Sequence, residues 1–426
     1  MLKKYRWAVL GVLLFIEIIA YVDRNLINAF APQITAELGL SDTRFGFLSG
    51  VVWVLSFGIM AVFMGSLADR FGRPRIIAAG VFVWSVCTAA SGLAENFMQM
   101  TVARFFVATG EAALVPAATA LFAEIFDSRQ RSTVNGVFFT GLPLGLGLSF
   151  VISGTVGATI GWRSTYIVLG LIGVVISIAL AFIHEEREQH PDEIGEPFLR
   201  QVRAMLLELA HRPVVVMVIA GFVFVHFVFA EYSFLQLWLV RERHADAAQI
   251  AERIGWLQIV FGTLGALIGG VAGDRLSLRF RGGHATYPVL ALLVCVPLMV
   301  ASRVAELGSP LFYAGLAASF FLPLSMYGST LALIHGRMPV SMRSTTVGFT
   351  MMSLNVMAIA AGNLAAGAAS DYMTAQGHPA PLTTVLIVMD CVLAVAFVFY
   401  FAAGRLIARE RCRSPLGSED AIESIG

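Results

Sequence analysis

Asp23, Arg104 and Glu111 are ionisable side chains set inside long apolar runs, "IIAYVDRNLI" and "TVARFFVATGEAALVPAA". A charge at the centre of a lipid bilayer costs about 2.5–3.5 kcal/mol even on the more lenient insertion scales, so such residues point to function. Arg104 and Glu111 stand at i and i+7 and share one helix face. At about 1.5 Å of rise per residue they lie about 10 Å apart along the axis. That gap is too long for a direct pair, and Asp23 from another helix is a candidate to fill it. A carboxylate in a dry site holds its proton, and the same carboxylate beside an arginine releases it. Two helix arrangements would then have two proton affinities, which is what coupling to a proton gradient requires. Each charge crossing the membrane adds about 2.3 kcal/mol per 100 mV. The competing reading is a permanent ion pair with Glu111 protonated and inert. Buried ion pairs stabilise poorly beside apolar packing, which favours the chemical reading.

A second set of charges crowds the turns between apolar runs. In "GSLADRFGRPR", Gly65 allows close helix approach, Asp69, Arg70, Arg73 and Arg75 share a very short turn, and Gly72 can supply the positive φ such a turn needs. Asp127, Arg129 and Arg131 occupy the next turn on the same side, and Asp274, Arg275 and Arg343 are the second-half counterparts. These groups read either as a latch that holds the cytoplasmic side shut in one state or as a simple bias of basic residues to that side. Further polar residues within apolar runs are Arg24, His226, Glu231, Tyr232, Tyr327, Asn355 and Asn363, the candidate substrate-cavity set. A histidine in such a place is more often a hydrogen-bonded packing residue than a proton carrier. His335 falls near a cytoplasmic end.

The elements that must position these residues follow from composition. The chain has 426 residues, 58% hydrophobic and 13% charged, where a soluble domain carries about 25% charged residues. It is a polytopic membrane protein. A net charge of +1 excludes an electrostatic nucleic-acid binder, and the four scattered cysteines exclude a disulfide framework or a metal set. No metal or cofactor is expected. A span needs roughly 20 mostly apolar residues. Cutting at charges and turn residues predicts twelve, near 7–31, 43–68, 75–94, 98–125, 132–157, 163–183, 214–240, 249–273, 285–303, 309–336, 343–369 and 381–404. The first reads as a retained span and not a signal peptide. The polar stretch 184–213 then separates an N-terminal six-helix bundle, 1–183, from a C-terminal bundle and tail, 214–426. Within it, "FLRQVRAMLLELA" reads as a short amphipathic surface helix. Most of the 29 Lys and Arg fall on one side, which predicts that both termini are cytoplasmic.

The halves repeat. "GSLADR" after span 2 matches "GVAGDR" after span 8, and "RSTVNG" opening span 5 matches "RSTTVG" opening span 11. Two related six-span halves in parallel orientation are the architecture of major facilitator transporters. The fold expected is therefore an all-α membrane protein with 12 transmembrane helices in two pseudo-symmetric six-helix bundles. Glycine and proline crowd "TGLPLGLGLSFVISG" and, less densely, "NVMAIAAGNLAAGAASD". Small residues let helices pack closely, and Pro143 kinks its span; bending or rocking helices are the other reading.

"YVDRNLI", "LGLSDTRFGFLSG", "GSLADRFGR", "ARFFVATGEAALVPA", "GLPLGLGLSFVISG" with "GWR", and "GNLAAGAASD" together resemble Spinster-type members of the major facilitator superfamily, closely over spans 1 to 6 and loosely over spans 7 to 12. The resemblance implies a proton-coupled carrier of lysophospholipids or sphingoid lipids in a bacterial inner membrane. It maps the coupling residues onto Asp23, Arg104 and Glu111. The chain departs from the pattern at Ala108, Pro74 and Asn363.

The leading expectation is thus a proton-driven transporter of an amphipathic lipid-like substrate, acting as a monomer. A proton symporter of small organic anions is the alternative, and drug export a weaker one. The anion reading needs cavity cations, for which Arg24 and Arg104 are the two candidates. A receptor or scaffold would need neither the charged triad nor the gating turns. No enzyme is expected, because neither a Ser/His/Asp nor a metal-ligand arrangement converges at one depth.

Overall fold

The computed structural model describes residues 5–127, 129–182 and 198–413, apart from the side chains at 62, 65, 66, 68–71, 132, 198, 199, 412 and 413. Among the described residues every regular element is a helix. Lipid offers a backbone N–H or C=O no partner, so a chain this apolar must satisfy those groups within each segment. The first group of spans comprises α1 (Arg6–Ala29), α2 (Asp42–Ala61, helical on to Phe71), α3 (Arg73–Gly92), α4 (Phe97–Ile125), α5 (Thr133–Gly154) and α6 (Val156–Ala181). The second comprises α7 (Pro213–Arg241), α8 (Ala247–Arg279), α9 (Thr286–Val304), α10 (Pro310–Arg337), α11 (Val340–Ala375) and α12 (Pro381–Arg413). Among the described residues eleven helices, α2 to α12, are long and apolar enough to cross a membrane. The remaining one, α1, has the length at 24 residues but carries Glu17, Asp23 and Arg24.

The predicted spans fall on these helices, most boundaries within a few residues; α6 starts seven residues before its predicted start, ahead of the break at Gly161, and α8, α11 and α12 run six, six and nine residues beyond their predicted ends. The linker helix forms over Phe198–Ala210, as its amphipathic pattern predicts. The preceding linker residues, 183–197, lie outside the described residues. Starts are set by local chemistry. Asn96, Asp246 and Ser309 accept hydrogen bonds from the backbone N–H groups of Gln99, Gln249 and Phe312, three residues on, so each satisfies an orphan donor of its helix. Gly72 adopts φ 94° at the start of α3, the turn conformation its sequence context calls for.

Several spans are interrupted along their length. α4 opens between Glu111 and Leu114. Pro116 has no N–H to give the Ala112 carbonyl, and the Ala113 N–H instead closes a tight turn onto the Gly110 carbonyl at 3.2 Å. α5 breaks at Thr140, three residues before Pro143. α7 breaks at His226. π-helical turns over Phe47–Val52 in α2 and Leu354–Ala360 in α11 face one another across the two groups.

The groups meet along two seams. At α5 and α8, a Cβ on Gly147 would stand 2.5 Å from the Gly255 carbonyl oxygen, and one on Gly255 would stand 2.6 Å from that of Gly147. At α2 and α11, a Cβ on Gly50 would stand 2.7 Å from the Asn363 Cβ. The glycines of α5 thus serve close packing on two sides, since Gly141 and Gly145 sit against Glu17 and Tyr21 of α1. One apolar core, around Trp84, Phe122 and Phe138, lies within the first group. A larger one, around Phe222, Trp238 and Tyr400, fills the second group and reaches Phe30, Phe45 and Phe150 of the first.

Candidate functional site

Asp23, Arg24, Arg104 and Glu111 converge where α1 crosses α4. Arg104 donates from Nη1 to Asp23 Oδ1 at 2.9 Å, and from Nη2 to the backbone carbonyls of Asp23 and Arg24, each at 3.1 Å. Thr88 of α3 donates its hydroxyl to the other Asp23 oxygen. Both members of this pair are buried, so the guanidinium fork is satisfied by one carboxylate and two carbonyls with little water. The pairing predicted for Asp23 and Arg104 at similar depth is the one observed.

Glu111 is held by a different residue from the one sequence reasoning suggests. Asp23 does not bridge Arg104 to Glu111. Arg24 does the holding: its Nε and Nη2 donate to Glu111 Oε2 at 3.1 and 2.9 Å, and Trp53 Nε1 donates to the same oxygen at 2.9 Å. Glu111 Oε1 is buried with no partner. Arg24 lies over the Trp53 ring at 3.9 Å and the Tyr21 ring at 4.6 Å, and its side chain keeps 23% exposure. Glu111 thus sits between a buried interior and a cation that is partly exposed. Glu17, not singled out by sequence, lies one turn below Tyr21 on the face of α1 that carries Arg24, buried with an unpartnered Oε1.

Among the candidate cavity residues, His226 is fully buried, Nδ1 on the Phe222 carbonyl at 2.7 Å and Nε2 on the Tyr327 hydroxyl at 3.0 Å. It is a packed, hydrogen-bonded histidine. Tyr232 is buried and donates to the Ser319 carbonyl at 2.6 Å. Asn363 is buried at the seam with α2, accepting from Ser49 at 3.1 Å and donating to the Ile359 carbonyl at 2.8 Å. Asn355 is half-buried in the π turn of α11. Glu231 does not stand alone. Arg303 of α9 donates to it at 2.8 Å and also grips Asp390 of α12 at 2.8 and 3.2 Å. Arg303 is a buried cation like Arg104; its position at the predicted end of span 9 disguised it as a loop residue.

The charged turns divide by side. At the basic end, Arg73 pairs with Glu124, Arg6 with Asp127 at 3.7 Å, His284 stands 4.0 Å from Asp274, and Arg337 pairs with Glu410 at 2.8 Å. Each of these joins helices of one group. Arg131 donates to the Ala123 and Phe126 carbonyls at the end of α4, and Arg343 to the Met338 carbonyl at the end of α10. The repeated hexapeptides therefore place their arginines alike, each a cation on the negative end of the preceding helix. Arg129 is exposed in its turn, and Arg275, expected in a turn, is exposed on α8, which continues to Arg279. The side chains of Asp69 and Arg70, and the surroundings of Gly65, lie outside the described residues.

Among the described residues, the charged contacts between groups are at the far end, and they were not anticipated. The Asp371 carboxylate of α11 accepts from the Asp42 and Thr43 backbone N–H groups, each at 2.9 Å, and from the Thr43 hydroxyl at 2.6 Å. It caps α2 from the other group. Asp42 in turn accepts from Arg241 of α7 and from Ser370, each at 2.6 Å. Nearby, Arg163 and Trp162, the "GWR" of the sequence, clamp Glu37, and their hydrogen bonds hold its carboxyl below the usual range. Arg163 and Trp162 open the second part of α6, beyond the φ of 79° at Gly161.

Comparison with known proteins accords with this geometry. The family model of the Major Facilitator Superfamily matches residues 13–362. The chain is 26% identical over 408 residues to an MFS-type efflux pump of Mycolicibacterium smegmatis, covering 95% of this chain and 94% of that one. It is 25% identical to Protein spinster homolog 1 of Xenopus tropicalis, covering 96% and 83%. It is 26% identical to a probable sulfoacetate transporter of Cupriavidus necator, covering 68% and 70%. The crystal structure of a bacterial homologue of the human lysosomal transporter Spinster, inward-facing and unoccupied, superposes with a TM-score of 0.82 at 22% identity, over 95% of this chain and 98% of that one.

Proposed function

Because the chain belongs to the major facilitator superfamily, whose two repeats rock about a shared site, we propose that it is a proton-coupled carrier of an amphipathic, lipid-like substrate, a lysophospholipid or sphingoid lipid. The proposal places it in a bacterial inner membrane with both termini cytoplasmic, so that the basic end is the cytoplasmic one and the latch of Asp42, Arg241 and Asp371 closes the outer side. The observation that carries it is that Glu111, buried in α4, is held by Arg24, a cation that keeps 23% of its side chain exposed. While Glu111 is ionised, it holds Arg24 through two hydrogen bonds. A proton on Glu111 removes the charge that fixes the guanidinium and frees a cation seated on the Trp53 and Tyr21 rings. A cation on an aromatic platform suits a substrate with an anionic head and an apolar body. Asp23 and Arg104 pair beside it and hold α1 against α4 in this arrangement, and a proton on Asp23 would loosen that hold.

The test is transport in proteoliposomes under an imposed pH gradient. Glu111→Gln and Asp23→Asn should each abolish the response to the gradient while leaving the protein folded. Unchanged gradient dependence in both would remove these residues from the mechanism. Thermal stabilisation by a panel of lysolipids, against a panel of small organic acids, decides the substrate class. Stabilisation by the acids alone would favour an organic-anion symporter, the reading that the half-open Arg24 and the sulfoacetate relative support.

A further inference from the structure

Arg303 balances only one of the two carboxylates buried against it. Glu231, Arg303 and Asp390 are each at most 2% exposed at the side chain. Asp390 takes both of its hydrogen bonds from the guanidinium, while Glu231 takes one, on Oε2. Glu231 Oε1 is buried with no partner. An isolated negative charge in such a place is expensive, and a carboxylate oxygen with no donor makes it more so. Glu231 and Asp390 flank the same guanidinium, so two negative charges would face a single buried cation. One proton on Glu231 removes the excess charge and leaves the Arg303–Asp390 pair charge-balanced. Glu231 also follows Asp23 by about two hundred residues, the spacing of the repeated hexapeptides, and each lies on the first helix of its group.

We propose that Glu231 is a second proton-binding site of the molecule, in the second group of helices, set by Arg303 and Asp390 and independent of Asp23 and Glu111. This deepens the transport reading and rests on it. The groups acting on the cluster are its own three members and Tyr232, whose hydroxyl is committed to the Ser319 carbonyl. Around it, Arg243 binds the Arg303 carbonyl at 2.7 Å, and Glu242 accepts from the first turn of α12. Cys391, next to Asp390, is exposed. The proton site shares α7 with Arg241, which closes the far-end latch on Asp42. Loading and unloading Glu231 thus acts on the helix that holds the groups together.

The experiment is infrared difference spectroscopy, between acid and alkaline buffer, of the full-length protein in liposomes. In a background of Asp23→Asn with Glu111→Gln, a carboxylic-acid carbonyl band should still rise on acidification. Adding Glu231→Gln should remove the share of one carboxyl. Adding Asp390→Asn in place of Glu231→Gln should also remove it, because Glu231 then becomes the sole acid on Arg303 and stays ionised. A band indifferent to both substitutions, or one that is present but constant with pH, overturns the proposal. Either outcome leaves the gradient dependence governed by Asp23 and Glu111 standing, so the two readings fail separately.

Discussion

Asp23 and Arg24 are consecutive, so their side chains leave α1 about 100° apart and cannot serve one partner. Asp23 turns to Arg104, and Arg24 turns to Glu111. The sequence showed that α1 and α4 carry complementary charges at matching depth, and Asp23 with Arg104 follows from depth alone. The partner of Glu111 did not follow, because depth is a coordinate along the helix and the choice between Asp23 and Arg24 is a rotation around it. Arg303 and Asp390 were hidden for related reasons: one stands at a span boundary, where an arginine is ordinary, and the other is one acid in a very apolar helix. The roles of the two arginines differ in a measurable way. Arg104 spends three donors on one carboxylate and two backbone carbonyls, and lysine cannot reproduce that fork. Arg104→Lys should therefore lower stability by about 3–5 kcal/mol, the scale for breaking a buried pair, read as a fall in the thermal transition in detergent. Arg24→Lys keeps a charge beside Glu111 on a partly exposed side chain and should lower stability by less than Arg104→Lys does. Equal losses in the two variants would contradict the geometry.

Helices in this protein are irregular at the places where they carry chemistry or meet the other group. α4 opens directly after Glu111, and paired π turns lie where α2 and α11 cross. The span boundaries and the linker helix were legible because they depend on hydropathy and periodicity, which are local. The π turns were not, since they follow from the approach of Gly46 and Gly50 to Asn363, residues more than three hundred positions away. The α5–α8 seam tests what these contacts are worth. Gly147→Ala would put a methyl 2.4 Å from Ile259 Cγ1 and 2.5 Å from the Gly255 carbonyl, so neither group has to be moved for glycine and one must be for alanine. The cost should be about 1–3 kcal/mol, the range for overpacking. Gly58→Ala, in α2 with nothing within 4 Å of its added carbon, should be neutral or stabilise by roughly 0.5–1 kcal/mol through helix propensity. Thermal unfolding of the two variants side by side separates packing from propensity, and a neutral Gly147→Ala would show that the seam is looser than drawn.

At the scale of the whole molecule, the charge network that joins the two groups among the described residues stands at the far end, while Asp69 and Arg70 of the expected basic-end latch lie outside the described residues. The basic-end pairs found, Arg6 with Asp127 and Arg337 with Glu410 among them, hold each group together internally. Asp371, Asp42 and Arg241 tie one group to the other, in the state where Gly367 packs against the Asp42 carbonyl. The motifs "LGLSDTR" and "GNLAAGAASD" both contain a latch acid, but nothing local says that one caps the helix begun by the other. An anion on the first turn of a helix contributes about 0.5–2 kcal/mol, and every 1.4 kcal/mol is tenfold in population. Asp371→Asn keeps the shape and removes the charge, so the far-end-open state should gain roughly two- to thirtyfold in population. Spin labels at Leu93 and Leu307, exposed on either group at that end, in a background without native cysteines, read this as growth of a longer-distance component. Because the same substitution leaves Glu111 and Arg24 untouched, substrate should still bind, and the defect should appear as a changed rate of turnover. An unaltered distance distribution would mean that the apolar seams alone hold the far end closed.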